Sequence, residues 1–265
     1  MSNGFGGTKD MALPAYAQRF VREGMAVLTY DYRHFGESGG EPRQLFDPGK
    51  QLDDLRAAVR FARGRREINP DRIALWGTSA AGGYGLVIAA EDKQIACVIA
   101  QCPSLDRHAD FKKSLQENGL GFFLRLFVHA QRDKGRSRLG MPPHRLPIVG
   151  KPGTLAMHTG QDVFQGYTGL AAGSSTFTNT VCARVLLIED KHNPANYAEQ
   201  VQCPFLLVLC EQDHLVDNTA NHTVADKMRE LATVRIFPVN HFDIYQGDWF
   251  EQDIAEQISF LNKQL

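Results

Sequence analysis

The chain has 265 residues, 43% of them hydrophobic and 22% charged, with a formal net charge of −1. That length suits one large α/β domain or one domain carrying an insertion. The near-zero charge gives no global field favouring nucleic acid or an anionic membrane, so the expected partner is a small molecule, with no nucleic acid and no membrane.

Met11, Leu13, Tyr16, Ala17, Phe20 and Val21 fall on one face of a first predicted helix, which Gly24 ends. The run Met-Ala-Val-Leu-Thr-Tyr-Asp-Tyr at 25–32 reads as a buried strand. Leu52, Leu55, Val59 and Ala62 recur at helical spacing. A second strand, Arg72–Trp76, runs straight into Gly77-Thr-Ser-Ala-Ala-Gly-Gly83 and a helix reaching Ala90, and a third strand covers Ile95–Gln101. Two further strands fall near Pro204–Cys210 and Val234–Pro238, followed by a helix with Phe250, Ile254, Ile258, Leu261 and Leu265 on one stripe. Strands alternating with helices predict an α/β fold with a doubly wound, mostly parallel sheet.

Residues 106–200 break that alternation. A structureless connection of that length inside a compact domain is improbable, so this stretch is expected to be a mainly helical cap inserted into a core made of residues 1–105 and 201–265. Phe122, Phe123, Leu126 and Phe127 lie in it, and they either pack the cap on the core or wall a pocket for an acyl or aromatic group. The basic stretch from Arg132 through Arg138 reads as a solvated face.

The five cysteines show no C-x-x-C pair, and three of them lie in apolar, strand-like surroundings and read as reduced core residues. The histidines outside the candidate site (His34, His108, His129, His144, His158, His192, His222) show no metal-ligand spacing. No metal and no organic cofactor is expected. The first seven residues lack the basic and apolar regions of a signal peptide, and no run of about eighteen apolar residues occurs, so a cytoplasmic protein is expected.

Chemistry concentrates at three strand ends. Ser79 follows the strand Ile73-Ala-Leu-Trp76 and precedes a helix of small residues, the setting in which a serine oxygen projects from a sharp turn at the carboxyl edge of a sheet. A serine hydroxyl needs a histidine base, itself oriented by a carboxylate. Asp213 follows the strand ending at Cys210, and His241 follows the one ending at Pro238. Glu211 is a rival acid; Asp31, Asp243 and His214 are read as a structural turn, a peripheral group and a solvated loop residue.

These segments together resemble the α/β-hydrolase superfamily, specifically cap-bearing bacterial esterases and dienelactone-hydrolase-like proteins. The resemblance rests on Gly4-Phe-Gly-Gly-Thr-Lys-Asp10, Asp31-Tyr-Arg-His-Phe-Gly-Glu-Ser38, the Ser79 turn, Asp213 and His241-Phe-Asp-Ile-Tyr245. It implies a serine hydrolase acting on a carboxylic ester with a small or medium apolar acyl or aromatic group. Its oxyanion hole would be the backbone N–H groups of Phe5 and Ala80. The same triad also serves thioesterases, lactonases, C–C hydrolases and acyltransferases. Two departures, Asn3 where the family usually has histidine and Ala81 where the turn usually has glycine, fit the further alternative of a catalytically impaired binding protein.

Such relatives carry strands ahead of the Gly-Phe-Gly-Gly loop, one of them central. Strands 25–32 and 72–76 are therefore expected to pair directly in a sheet of about five strands, because a gap would leave backbone groups unpaired at about 1–3 kcal/mol each. A homodimer that exchanges a strand is the alternative repair.

Overall fold

The computed structural model describes residues 1–188 and 191–265; residues 189 and 190 of the predicted insertion lie outside them. The first half contains α1 (Leu13–Arg22), α2 (Pro48–Arg63), β1 (Ile73–Thr78), α3 (Ala80–Glu91) and β2 (Ile95–Gln101). Next come α4 (Arg107–Asn118), α5 (Leu120–Arg138), β3 (Arg145–Leu146), β4 (Val149–Gly150), β5 (His158–Thr159), α6 (Gln161–Ala171) and β6 (Val181–Cys182). The chain closes with β7 (Phe205–Cys210), α7 (Asn218–Met228), β8 (Ala232–Phe237) and α8 (Gly247–Gln264).

The main sheet has the order β1-β2-β7-β8, all parallel. Its central strands are apolar runs because both faces are covered. Along β7, Phe205, Leu207 and Leu209 pack with Leu52 and Val59 of α2, with α3 and with Val224 and Met228 of α7. The alternate residues Leu206, Val208 and Cys210 pack with Leu13, Tyr16 and Phe20 of α1 and with Ile254 and Leu261 of α8. This is a doubly wound sheet.

The direct pairing expected between residues 25–32 and β1 does not occur, and the sheet has four strands among the described residues rather than about five. Residues 25–32 form no strand. The chain's own first residues stand between the two segments. The Met1 amino group donates to the Leu28 carbonyl at 2.7 Å. On the other side, the Ser2 N–H donates to the Trp76 carbonyl at 3.0 Å, and Ser2 forms a parallel bridge with Gly77. The reason is geometric. Gly4 packs against Ser79, just past the end of β1, so the residues leading to Gly4 must run beside that strand's last residues.

Residues from the 106–200 stretch share the apolar packing of the sheet's helices. Ile148, Val149, Val163, Val181, Ala195 and Ala198 belong to the same apolar cluster as α2 and α3. A smaller cluster, Phe122, Leu126, Leu146 and Ala183, fixes α5 to the rest of the insertion.

Beneath the sheet a polar network ties α8 to the core. The Trp76 indole N–H donates to Gln257 Oε1 at 2.8 Å, the Gln257 amide donates to Gln101 Oε1 and to Asp253 at 2.8 Å, and the Tyr16 hydroxyl donates to Asp253 at 3.1 Å. Burial pushes the Asp253 carboxyl up to about 7 against these donors. An acid raised in the folded state binds its proton more tightly there than in the unfolded chain. Stability therefore falls as pH rises from the ordinary carboxylate range towards 7, by at most about 1.4 kcal/mol per unit. Asp253→Asn is expected to flatten that slope, so urea unfolding at pH 5 and pH 8 should show the variant gaining on the wild type at the higher pH. A stability difference that does not vary with pH would remove Asp253 as the cause.

Candidate active site

Ser79 is the single residue between β1 and α3, at φ 55° and ψ −122°. A non-glycine residue in that region is strained and persists only where its surroundings fix it. Here they do. The Ser79 N–H donates to the Gln101 carbonyl at 2.9 Å, and its own carbonyl accepts from the N–H groups of Gly82 and Ser104, each at 3.0 Å. The turn is tight enough that a Cβ on Gly77 would overlap the Ala81 carbonyl.

The loops after β7 and β8 bring the predicted acid and base together. Asp213 Oδ2 lies 2.6 Å from His241 Nδ1, and both residues are buried, at 4% and 5% exposure. The other carboxylate oxygen accepts from the N–H groups of Leu215 at 2.7 Å and Val216 at 3.2 Å, which fixes the carboxylate plane. Glu211, the rival acid, is exposed, as is His214. Asp243 accepts the Asn240 N–H at 3.2 Å and braces the histidine loop. Asp31 accepts the N–H groups of Lys9 at 2.7 Å and Glu37 at 3.0 Å, a structural role that ties two loops together.

Two residues that sequence reasoning did not single out hold the acid loop from the insertion. Lys113 of α4 donates through Nζ to the carbonyls of Asp213 at 2.7 Å and Val216 at 3.1 Å. Asp110, also on α4, accepts the Asp217 N–H at 2.7 Å and the Ser104 hydroxyl. Burial pushes the Asp110 carboxyl up to about 6. No local pattern marks either residue as a brace of that loop, since the groups each holds there lie about a hundred residues away.

Ser79, His241, Phe5 and Ala80 line one cavity of about 420 Å³, within the usual range for small-molecule sites. The loop at Gly4–Gly7 is well anchored. A Cβ on Gly4 would stand 2.9 Å from Ser79 Cβ, the Tyr167 hydroxyl donates to the Phe5 carbonyl at 2.6 Å, and the Phe5 ring packs on Phe46 with centroids 4.4 Å apart. Among the described residues nothing accepts the N–H of Phe5 or of Ala80, the first residue of α3.

The predicted pocket residues are elsewhere. Phe122, Phe123 and Phe127 do not line the cavity. Helical spacing places Phe122, Leu126 and Ala130 on the buried face of α5, while Phe127 points away and is 49% exposed. Phe123 stacks edge-on behind Phe111 at 5.0 Å, and it is Phe111 that reaches the cavity. Leu170, Leu186, Ile188 and Leu215 also belong to its apolar wall.

Among the described residues one group of three could offer close metal ligands: Cys102, Asp213 and His241. The carboxylate is already committed to the imidazole, and burial pushes the Cys102 thiol well up, so it is a poor ligand. The five cysteines are all buried and free.

A family profile described as the alpha/beta hydrolase fold matches residues 1–248. The chain belongs to the α/β-hydrolase family. Over 99% of its length it is 38% identical to the quorum-quenching protein AidA of Acinetobacter baumannii, covering 85% of that protein. It is 26% identical to the polyketide transferase af380 of Aspergillus fumigatus, covering 100% of this chain and 89% of that one. Among solved structures, the α/β hydrolase GrgF from Penicillium superposes with a TM-score of 0.82 at 27% identity, covering 100% of this chain and 88% of that chain. No helix among the described residues is long and apolar enough to cross a membrane.

Proposed function

We propose that this α/β hydrolase cleaves a carboxylic ester of a small or medium acyl group through an acyl-enzyme on Ser79. The observation that carries this reading is the buried Asp213–His241 pair at 2.6 Å, opening on the cavity that contains the strained Ser79 turn. His241 Nε2 takes the Ser79 hydroxyl proton as Oγ attacks the ester carbonyl, and Asp213 stabilises the imidazolium that forms. The N–H groups of Phe5 and Ala80 receive the oxyanion, helped by the positive end of α3. The imidazolium then gives its proton to the departing alkoxide. Water, deprotonated by the same histidine, attacks the acyl-enzyme and releases the acid.

Acyl transfer is the second reading, favoured by the similarity along the full chain to a protein named as a polyketide transferase. In that reaction an alcohol or thiol takes the place of water at the last step, so product analysis with and without an added acceptor separates the two.

A fluorophosphonate probe tests the shared core of both readings. It is expected to label Ser79 rapidly, and Ser79→Ala is expected to abolish both labelling and turnover of p-nitrophenyl butyrate while thermal unfolding is unchanged. Wild-type protein that neither labels at Ser79 nor turns over the ester would sink the proposal.

A further inference from the structure

The catalytic cavity holds a second histidine. His158 lines it on β5, whose backbone is pinned to the core: the His158 N–H donates to the Ile148 carbonyl at 2.9 Å and the residue pairs with Val149, both neighbours being buried. Its ring stands edge-on to Phe5, with centroids 5.4 Å apart and planes at 89°. Phe5 is in turn the residue after Gly4, which touches Ser79. Burial, together with the nearby His241, holds the His158 pKa down at about 4. The ring is therefore neutral at ordinary pH and offers one N–H donor and one bare acceptor.

Neither ring nitrogen has a hydrogen-bond partner among the described residues, which sets His158 apart from the other polar side chains of the cavity wall. Asn3 donates to the Thr8 carbonyl, Tyr167 to the Phe5 carbonyl and Ser104 to Asp110. The Thr78 and Tyr245 hydroxyls bond each other, and Arg107 lies over the Tyr84 ring. Each of these has a use within the protein. A half-buried imidazole that stands against Phe5 and faces a mostly apolar cavity, with no partner in the protein, is left available to a ligand. The reacting carbonyl does not take it up, since its oxygen belongs to the Phe5 and Ala80 N–H groups.

We infer that His158 recognises a second oxygen on the substrate, so that the preferred acyl group carries an oxo or hydroxy substituent near the reacting carbonyl rather than a plain hydrocarbon chain. The inference rests on the acyl-enzyme chemistry proposed above and names the substrate class for that site. The imidazole suits either substituent: its N–H donates to a ketone oxygen, and its bare nitrogen accepts from a hydroxyl. Its place beside Phe5 puts that contact within the chamber where the acyl carbonyl must sit. A site that offers a hydrogen bond discriminates against analogues lacking the partner group, because a substrate filling the cavity would exclude water and leave the imidazole unpaired.

The test compares p-nitrophenyl octanoate with p-nitrophenyl 3-hydroxyoctanoate, each kcat/KM being divided by the ester's spontaneous hydrolysis rate to remove intrinsic reactivity. The wild type is expected to favour the hydroxylated ester by about tenfold or more. His158→Phe should bring that ratio to about 1, while His158→Gln, which keeps a donor and an acceptor, should retain part of the preference. A wild-type ratio near 1, or a preference that survives in His158→Phe, overturns the inference. Turnover of octanoate with no preference leaves the acyl-enzyme reading standing and removes only this one. If neither ester is turned over and Ser79 does not label, both fall together. The wild-type ratio can overturn the inference by itself, so the test does not depend on either variant folding.

Discussion

Replacing Asp213 by asparagine is expected to lower kcat/KM for ester hydrolysis by about 10⁴-fold, as in triads where the same exchange leaves geometry intact but reverses the histidine's tautomer. Here the reversal follows from the hydrogen bonds on both sides of the carboxylate. One oxygen is held by the N–H groups of Leu215 and Val216, so an asparagine carbonyl would take that place and turn its NH₂ towards His241 Nδ1. Facing a donor, Nδ1 must become the acceptor, and the proton moves to Nε2, where it blocks removal of the serine proton. Glu211→Gln is the companion experiment. Its side chain is exposed and its N–H is spent on the Phe237 carbonyl at 2.8 Å, so activity should stay within about twofold of the wild type. Near-full activity in Asp213→Asn combined with loss in Glu211→Gln would reassign the acid.

That pair of variants also marks where sequence reading reached its limit. Both acids follow the same predicted strand, and both are positioned by it; only the direction of each side chain separates them, and that depends on how the chain turns after Cys210. The strands and the Ser79 turn were legible because their signals are local: an uninterrupted apolar run in β7, and small residues forced by a tight turn between β1 and α3. The 25–32 run carried the composition of a strand but not its partner. Pairing is decided by what lies alongside, and Met1 and Ser2 came to lie there. The cavity wall was the least legible part. His158 sits on a strand of two residues, too short for any periodicity, and Phe111 carries a weaker signal than the denser Phe122–Phe123 pair. In that pair helical phase, not hydrophobicity, decides which ring meets the core. Lys113 illustrates the same limit, since a lysine that holds two backbone carbonyls looks in sequence like any lysine on a solvated helix.

Gly4→Ala should lower kcat/KM by about 10²-fold, the scale at which a displacement of about 1 Å at a reacting group acts. The added Cβ would stand 2.9 Å from Ser79 Cβ, 3.2 Å from the Thr78 carbonyl oxygen and 3.4 Å from Ser79 Oγ, so one side has to yield. Neither can do so freely. The serine is fixed through its own N–H and carbonyl to Gln101, Gly82 and Ser104. The loop is fixed on both flanks of Gly4: Ser2 is bonded along the end of β1, Tyr167 holds the Phe5 carbonyl, and Asp10 gathers Thr8, Ser174 and Thr176. Displacement therefore falls on Ser79 Oγ or on the Phe5 N–H, and in the proposed mechanism either change misaligns attack with oxyanion stabilisation. Gly121→Ala is the control for the substitution itself, because a Cβ there meets nothing within 4 Å. Steady-state kinetics, the rate of fluorophosphonate labelling and thermal melts of the two variants separate misalignment from unfolding. Misalignment slows labelling in Gly4→Ala more than it lowers the melting temperature, whereas a loop free to retreat leaves labelling at the wild-type rate and would remove Phe5 from the oxyanion site.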